Sequence, residues 1–229
     1  MYKFETHLHT NACSACAVSS GKEMVDAAKE NGFSGFVITN HFYHGNTCVD
    51  RNLDWYDFID AYRKDYEITR EYGESKGIKV FFGIEEGFAP GKEMLIYGVT
   101  PEQLIEHPEF IMLGAKEKSD LIHKLGGITI CAHPYRNRAY IPDPDTDPDI
   151  TLFDAIEGYN RGNPDNENEK AVVFAKQNKM IITSGGDIHS ATAFGPSGIA
   201  FDTEITDYDD FINRVKNGNF KLITKNGLI

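Results

Sequence analysis

The stretch FETHLHT, residues 4–10, places two histidines two positions apart, directly after an apolar opening. Side chains at positions i and i+2 of a strand point to the same face, so His7 and His9 project together if this stretch is extended. Imidazole is a common ligand of transition metals. The stretch therefore indicates either the first part of a metal site or a coincidental pair.

The composition is that of an ordinary globular protein. The chain has 229 residues, of which 41% are hydrophobic and 25% are charged, with no disordered or fibrous bias. We expect a single domain over residues 1–229. No run approaches the roughly 18 apolar residues that a membrane helix needs. The N-terminal residues carry no secretion signal, so a cytoplasmic location without a membrane partner is the default expectation.

The net charge of −12 bears on the partner. An acidic chain repels long nucleic acid and anionic membrane surfaces overall. A small anionic substrate is still compatible with this charge, because bound divalent cations supply a local positive centre. The charge is therefore compatible with a small anionic substrate, and we expect no long nucleic-acid partner.

The four cysteines are expected to be reduced thiols, because a chain of this size without a secretion signal does not need disulfides. Cys13 and Cys16 form a CxxC pair, but no second pair follows at zinc-ribbon spacing. A structural zinc site at this pair is therefore disfavoured.

Short apolar segments alternate with segments of helical periodicity, which predicts βα units around a parallel sheet. The predicted strands are residues 2–8, 35–39, 78–84, 94–99, 127–133, 154–159, 180–185, 198–201 and 220–224. The predicted helices are residues 20–31, 54–76, 114–125, 166–178 and 207–216. Residues 137–149, rich in Pro and Asp, are predicted to form a long loop over one face.

Polar side chains stand at the ends of the predicted strands. Because the C-terminal ends of parallel strands share one face of a sheet or barrel, we expect these side chains to converge. Neutral imidazole suits transition metals, carboxylates can bridge two cations, and mixed nitrogen and oxygen ligation favours Zn, Mn or Fe over Ca or Mg. The predicted metal ligands are His7, His9, His41, Glu85, His133, Asp187 and His189.

A lone histidine is more often a core or surface residue than a ligand, and that interpretation would prevail for any one member of the set. Seven ligand-type residues at strand ends favour the metal site. His107 and His123 are predicted to be surface residues. His44, in the loop after the second predicted strand, could approach the site.

Six motifs, in order along the chain, resemble those of the polymerase and histidinol phosphatase, or PHP, superfamily. They are HLHT (7–10), ITNH (38–41), GIE (83–85), AHPYR (132–136), DAIEGYN (154–160) and SGGDIHS (184–190). The resemblance implies an α/β fold, a distorted (β/α)7 TIM-like barrel, with two or three divalent metal ions at the C-terminal ends of the strands. It also implies phosphoester hydrolysis by attack of metal-activated water.

The resemblance also implies how the ligands are divided. The first metal would be surrounded by His7, His9, Glu85 and Asp187. Glu85 would bridge to a second metal that His133 also binds. His41 and His189 would serve a third site.

The stretch NACSAC, residues 11–16, departs from the pattern of many relatives, which place another His or Asp there. The corresponding positions hold Ser14 or Ala15, so the third site is either weakened or completed by Cys16 or His44.

Two further departures concern the second metal and the support of His41. Met94 is the residue nearest to the position of a His that many relatives carry on the fourth strand, so one ligand of the second metal is unassigned. Asn40 replaces an acid that commonly precedes the His of the second motif, and groups that orient a ligand affect metal affinity.

Two arginines are candidate phosphate ligands, because bidentate guanidinium geometry matches phosphate oxygens. Arg136 follows the strand that ends in His133, and Arg161 follows the DAIEGYN motif. Either could instead form a surface salt bridge with one of the 35 acidic residues. His189 or His41 could protonate the leaving oxygen if it is not bound to metal.

The leading functional hypothesis is a phosphatase of a small phosphomonoester, with histidinol phosphate as one possibility. The first alternative is a phosphodiesterase or exonuclease acting on short nucleotides. A metal-dependent amidohydrolase is disfavoured, because Glu85 and Glu86 stand where many such enzymes place a lysine. A non-catalytic binding or regulatory module that has lost its metals is the last alternative, motivated by Ala15, Asn40 and Met94.

Overall fold

The computed structural model describes residues 1–229 and shows a mixed α/β architecture built on one curled, ten-stranded sheet. The strands are β1 (Tyr2–Leu8), β2 (Gly35–Ile38), β3 (Lys79–Ala89), β4 (Lys92–Tyr97), β5 (Ile128–Ala132), β6 (Ala155–Asn160), β7 (Ile181–Gly185), β8 (Ile199–Phe201), β9 (Lys221–Thr224) and β10 (Gly227–Leu228). The helices are α1 (Gly21–Glu30), α2 (Trp55–Lys76), α3 (Pro101–Ile105), α4 (Ala115–Lys124), α5 (Asp165–Gln177) and α6 (Tyr208–Lys216).

Helix boundaries follow local signals in the sequence. Ser20 caps α1 in a capping box, in which the Glu23 carboxylate accepts the Ser20 N–H at 2.7 Å. Asp54 caps α2 by accepting the N–H of the third helical residue at 2.9 Å. The same helix ends at Gly77, whose φ of +77° is a left-handed conformation that glycine adopts without strain.

The sheet has the order β10-β9-β8-β1-β2-β3-β4-β5-β6-β7. The pairs β1–β2, β2–β3, β5–β6 and β6–β7 are parallel, whereas β4 runs antiparallel to both β3 and β5. The predicted α/β class is confirmed. The prediction of βα units around a parallel sheet is wrong at β4, because the turn between Ala89 and Lys92 is too short for a crossover helix. It is also wrong at β8 and β9, because β8 runs antiparallel to both β1 and β9.

The sheet curls so that the chain after β7 returns to β1. The His9 N–H donates to the Ile188 carbonyl at 2.8 Å, and the Ile188 N–H donates to the His7 carbonyl at 3.0 Å. Nearer its start, β1 pairs with β8 instead. The C-terminal half of β1 is therefore bonded on one side to β2 and on the other to the segment after β7, which gathers the ends of these strands at one place.

All predicted strands and helices are present, with boundaries that differ by at most two residues in all but one. The exception is β3, which continues to Ala89, so Glu85 and Glu86 lie within the strand and not at its end. The short helix α3 and the strand β10 were not predicted. Residues 137–149 contain no helix or strand, as expected for a loop. None of the helices combines the length and apolar character that a membrane crossing requires.

Phe4 anchors the start of the strand that carries His7 and His9. Its side chain is fully buried, and its ring stacks on that of Phe81 with centroids 5.7 Å apart. The rings of Phe201 on β8 and Phe211 on α6 lie 5.8 and 5.5 Å away. This aromatic cluster ties β1 to β3, β8 and α6.

We expect Phe4→Ala to lower the free energy of unfolding by about 3–5 kcal/mol, because truncating a buried aromatic ring leaves a cavity. Guanidinium denaturation followed by circular dichroism measures this loss. Tyr140→Ala is the matched control, since its exposed ring should contribute within about 0.5 kcal/mol. Similar losses for both variants would contradict the anchoring role of Phe4.

Candidate metal centre

Glu85 lies at the centre of a buried cluster of imidazoles. Its carboxylate is fully buried. Ring nitrogens of His7 and His133 each lie 3.0 Å from Glu85 Oε1. Ring nitrogens of His41 and His9 lie 2.9 and 3.4 Å from Glu85 Oε2. Glu85 therefore contacts four of the predicted ligands at once, in an arrangement suited to a carboxylate that bridges two metal ions.

Asp187 closes the other side of the cluster. Its Oδ1 lies 3.1 Å from His9 Nε2 and 3.5 Å from both His7 Nε2 and His189 Nδ1. The structure thus brings all seven predicted ligand residues together. Asp187 has a φ of +51° and His133 a φ of +28°, left-handed conformations that are rare for residues other than glycine. Such strain is typical of functional sites, where the surrounding structure holds it.

Several buried polar atoms of the cluster have no hydrogen-bond partner of acceptable geometry. They include His7 Nε2, His9 Nε2, His41 Nδ1 and Glu85 Oε2. Each unsatisfied buried group costs about 1–3 kcal/mol. Atoms of these same residues form groups of three that lie within 4.8 Å of one another. Nitrogen and oxygen donors that are placed so closely and left unpaired fit a set of ligands for divalent ions.

Glu93 adds a carboxylate that the sequence interpretation missed. Its Oε1 lies 3.4 Å from His41 Nδ1, and its Oε2 lies 3.5 Å from His133 Nε2. Glu93 stands near the start of β4, and because β4 is antiparallel, its start lies at the edge where its parallel neighbours end. Met94 is buried in the apolar core instead. Glu93 is therefore the candidate for the ligand position that Met94 left unassigned.

Glu157 is a second missed residue, although it lies within the DAIEGYN motif. Its Oε1 lies 3.0 Å from His7 Nδ1, and its Oε2 accepts the His133 N–H at 3.0 Å. A carboxylate on one ring nitrogen fixes the tautomer and orientation of a histidine whose other nitrogen binds metal. Glu157 therefore holds His7 with its Nε2 toward Glu85.

Ser14 and Asn40 connect the first two histidine motifs. Ser14 Oγ lies 3.1 Å from His9 Nδ1, accepts the His41 N–H at 3.0 Å and donates to Asn40 Oδ1 at 2.9 Å. Asn40 Nδ2 in turn donates to Asp65 Oδ2, on α2, at 3.0 Å. The acid that the family pattern places before His41 is thus replaced by an amide that contacts an acid from a neighbouring helix.

Burial and neighbouring charges act in opposite directions on the titration of the cluster. Burial lowers the pKa of His7, but the carboxylates of Glu157 and Glu85 outweigh it and hold this pKa well above its ordinary value. Burial and the nearby His41 lower the pKa of His9 to about 3. Burial raises the pKa of Glu85, but His7 and His41 hold it well below its ordinary value. A divalent ion would therefore displace protons on binding.

A cavity of 580 Å³ opens onto the cluster. Its lining residues are Cys16, His41, His44, Gly45, Asn46, Gly91, Glu93, Arg136, Tyr140, Asp187 and His189. Several predicted metal ligands thus face a space large enough for a small molecule.

The two candidate arginines lie in different surroundings. Arg136 lines the cavity, where its Nε donates to Asn163 Oδ1 at 2.9 Å and its Nη2 donates to Asp187 and Asn160. Arg161 is not among the lining residues, and its guanidinium donates to the Ala193 carbonyl. The structure therefore brings only Arg136 to the cavity.

His44 and Cys16, the two candidates for completing the third site, have different contacts. His44 lines the cavity, but its Nδ1 lies 2.6 Å from Glu86 Oε1 and 3.1 Å from Lys118 Nζ. Cys16 Sγ lies 3.0 Å from His189 Nε2. Burial raises the pKa of the Cys16 thiol. The neighbouring imidazoles of His189 and His41 outweigh burial and lower this pKa to about 6.

We expect divalent zinc or manganese to raise the unfolding free energy, by about 2.7 kcal/mol when the free ion is at 100 times its dissociation constant. Glu85→Gln should need at least about tenfold more metal for the same effect, since loss of even an orienting group costs about that much affinity. Thermal unfolding against metal concentration measures this shift. Glu169→Gln, at an exposed site on α5, is the matched control and should respond like the wild type. A full metal response in Glu85→Gln would contradict the assignment of this cluster.

Known structures resemble this fold at low sequence identity. A two-domain protein from Bacteroides vulgatus, which contains a predicted PHP-like metal-dependent phosphoesterase, has a TM-score of 0.72 at 14% identity, over 99% of this chain and 66% of that one. A lesion-specific endonuclease from Pyrococcus furiosus has a TM-score of 0.67 at 14% identity, over 96% of this chain and 57% of that one. An amidohydrolase from Chromobacterium violaceum, with bound sulfate and no metal, has a TM-score of 0.58 at 11% identity, over 98% of this chain and 99% of that one.

At such identities, these similarities show a shared fold alone. No curated protein matches the chain in sequence. The PHP domain family matches residues 5–217, a range that contains all six motifs and every residue of the cluster around Glu85. The resemblance carried by the motifs is thereby confirmed, and the chain belongs to the PHP domain family.

Proposed function

We propose that this protein is a metal-dependent phosphatase that hydrolyses a small phosphomonoester. Membership in the PHP family makes it a hydrolase of phosphoric ester bonds. The observation that carries the finer proposal is the set of buried, unpaired ring nitrogens around Glu85 and its own unpaired carboxylate oxygen, together with the cavity that opens onto the cluster. We further propose that residues 1–229 act as one domain, with β1–β7 as the seven strands of a distorted barrel.

We propose that the cluster holds two or three divalent ions, with Zn, Mn or Fe as the expected metals. The first site would be formed by His7, His9, Glu85 and Asp187, the second by Glu85, Glu93 and His133, and the third by His41 and His189. Ions bound there would supply activation of water and neutralisation of charge on phosphate oxygens.

Arg136 is the residue that we propose binds the phosphoryl group. Contacts with Asp187, Asn160 and Asn163 hold its Nε and Nη2 in place, which leaves the Nη1 protons without a protein acceptor. A guanidinium fixed at the cavity can donate to phosphoryl oxygens and stabilise the charge that develops on them. Burial lowers the pKa of Arg136, but Asp187 outweighs it and raises this pKa, so the group stays charged.

The cavity and the charge favour a small substrate. A volume of 580 Å³ suits a ligand of metabolite size. The net charge of −12 opposes long polyanions. One of the similar structures is an endonuclease, so the expected absence of a long nucleic-acid partner remains a prediction.

A phosphodiesterase of short nucleotides is the second candidate, and one observation favours it. The ring of Tyr140 lines the cavity and is 70% exposed, so it is available to stack on a base. The amidohydrolase alternative gains no such support, because Glu85 occupies the strand position concerned and the nearby buried Lys118 is paired with Glu86.

Protein loaded with zinc or manganese should release phosphate from members of a panel of small phosphomonoesters. Arg136→Ala should lower kcat/KM by about 10²- to 10³-fold, the usual cost of removing one donor that stabilises developing charge. Arg138→Ala, in the adjacent loop and outside the cavity, is the matched control. The phosphatase proposal fails if no ester in the panel releases phosphate, or if His7→Ala releases phosphate at the wild-type rate.

The second candidate is tested by comparing a dinucleotide with a sugar phosphate. If the enzyme cleaves the dinucleotide, Tyr140→Ala should raise its KM by about 5- to 150-fold, which corresponds to about 1–3 kcal/mol of base stacking. The KM of the sugar phosphate should stay unchanged. Tyr56→Ala, an exposed tyrosine outside the cavity, is the control. An intact dinucleotide alongside a cleaved sugar phosphate would exclude the diesterase.

A further inference from the structure

The NACSAC segment places its two cysteines in different environments. Cys13 is buried in the apolar core, with its Sγ 3.9 Å from the Ala61 carbonyl. Cys16 is exposed at the cavity instead. Both thiols are free. The CxxC spacing is therefore not the functional unit, and Cys16 has to be considered with the residues that face it.

Cys16 faces the imidazole of His189. Its Sγ lies 3.0 Å from His189 Nε2. His9, His41 and His189 each bring one ring nitrogen within 4.8 Å of the other two. Independently of the thiol, His9 Nε2 and His41 Nδ1 are buried and have no hydrogen-bond partner. The thiol thus stands beside a group of nitrogen donors that already has the spacing of a metal site.

The other residues that could complete this site are excluded by their positions or chemistry. His44 is engaged with Glu86 and Lys118. Ala15 has no donor atom, and the hydroxyl of Ser14 is used by Asn40 and the two histidine motifs. Cys16 is the remaining side chain of this segment with a ligand atom at the cavity.

We propose that Cys16 is a thiolate ligand of the third metal ion, together with His41 and His189. This inference rests on the proposed function and assigns the chemistry of one of its sites. A coordinating thiol loses its proton when the metal binds. One thiolate with two imidazoles forms a softer donor set than the carboxylate-rich first and second sites. The third site should therefore select zinc or iron(II) over manganese or magnesium.

Cobalt(II) is the probe, because a cobalt–thiolate bond gives an intense near-ultraviolet charge-transfer band that imidazole and carboxylate ligands do not give. We expect the band to appear when the wild-type protein is titrated with cobalt, and to be lost in Cys16→Ser. Cys48→Ser is the matched control, because Cys48 is an exposed thiol whose Sγ hydrogen-bonds to the backbone carbonyls of Asn11 and Ala12. Absence of the band in the wild type, or its persistence in Cys16→Ser, would overturn the proposal.

A second measurement uses the unmodified protein, so it does not depend on the folding of the variant. Zinc should slow alkylation of Cys16 by iodoacetamide by about tenfold or more, because the metal removes the free thiolate that reacts. Alkylation of Cys48, followed in the same digest by mass spectrometry, should keep its rate. Equal rates for Cys16 with and without zinc would contradict the assignment.

Neither readout depends on turnover, so failure of the two proposals can be distinguished. A cobalt–thiolate band without phosphate release from any ester would support the proposal that Cys16 is a ligand and contradict the phosphatase proposal. Phosphate release without the band would support the phosphatase proposal and contradict the proposal for Cys16. Metal content adds a quantitative check, since Cys16→Ser should lose about one equivalent of zinc per chain while the manganese content stays unchanged.

Discussion

Glu85 is a carboxylate buried among four imidazoles, and every element that carries one of them has to meet at that point. Removing a carboxylate from water costs several kcal/mol unless nearby groups compensate the charge. The compensating ring nitrogens come from β1 and its end and from the residues that follow β2 and β5, so no single local segment supplies them. A flat sheet would separate these strand ends, so the curl of the sheet and the cluster are two aspects of the same arrangement.

The seam between β1 and the segment after β7 is held by a second buried carboxyl group. Glu5 Oε1 accepts the N–H groups of Thr6 and His7 at 2.8 Å and that of Gly186 at 2.7 Å. Burial raises the pKa of Glu5 to about 7, even though these hydrogen bonds oppose it. Because Gly186 directly precedes Asp187, one side chain fixes the backbone on both sides of the cluster.

The histidine motifs could be recognised from the sequence because a simple rule governs parallel strands, whose C-terminal ends share an edge. The rule applies to His7 and His9 at the end of β1 and to His133 after β5. It fails for Glu93, because an antiparallel strand brings its beginning to that edge. The sequence did contain a signal for this antiparallel hairpin. Pro90–Gly91 is typical of a tight turn, and Gly91 has a φ of +69°.

Other features depend on tertiary contacts that no local pattern encodes. Glu157 lies inside β6, so a rule about strand ends passes over it, and its role follows only from its contact with His7. Only Arg136 of the two candidate arginines lines the cavity, and this difference goes with the carboxylate or carbonyl that each guanidinium contacts. The strand-end positions supplied the ligand set and the resemblance to a family supplied its division among metal sites, whereas the roles of the NACSAC residues required the positions of neighbouring loops.

The β3–β4 hairpin makes chain length, as well as residue type, a determinant of the metal centre. Glu85 pairs with Leu95 and Gly87 with Glu93, so both acids lie on the same face of the hairpin. Side chains on a strand alternate between faces, so a register shift of one residue would exchange Glu93 for Lys92 or Met94. Surface turns usually tolerate changes in length. An insertion in this one that shifts the register would replace the acid of Glu93 at the metal centre with a cation or a thioether.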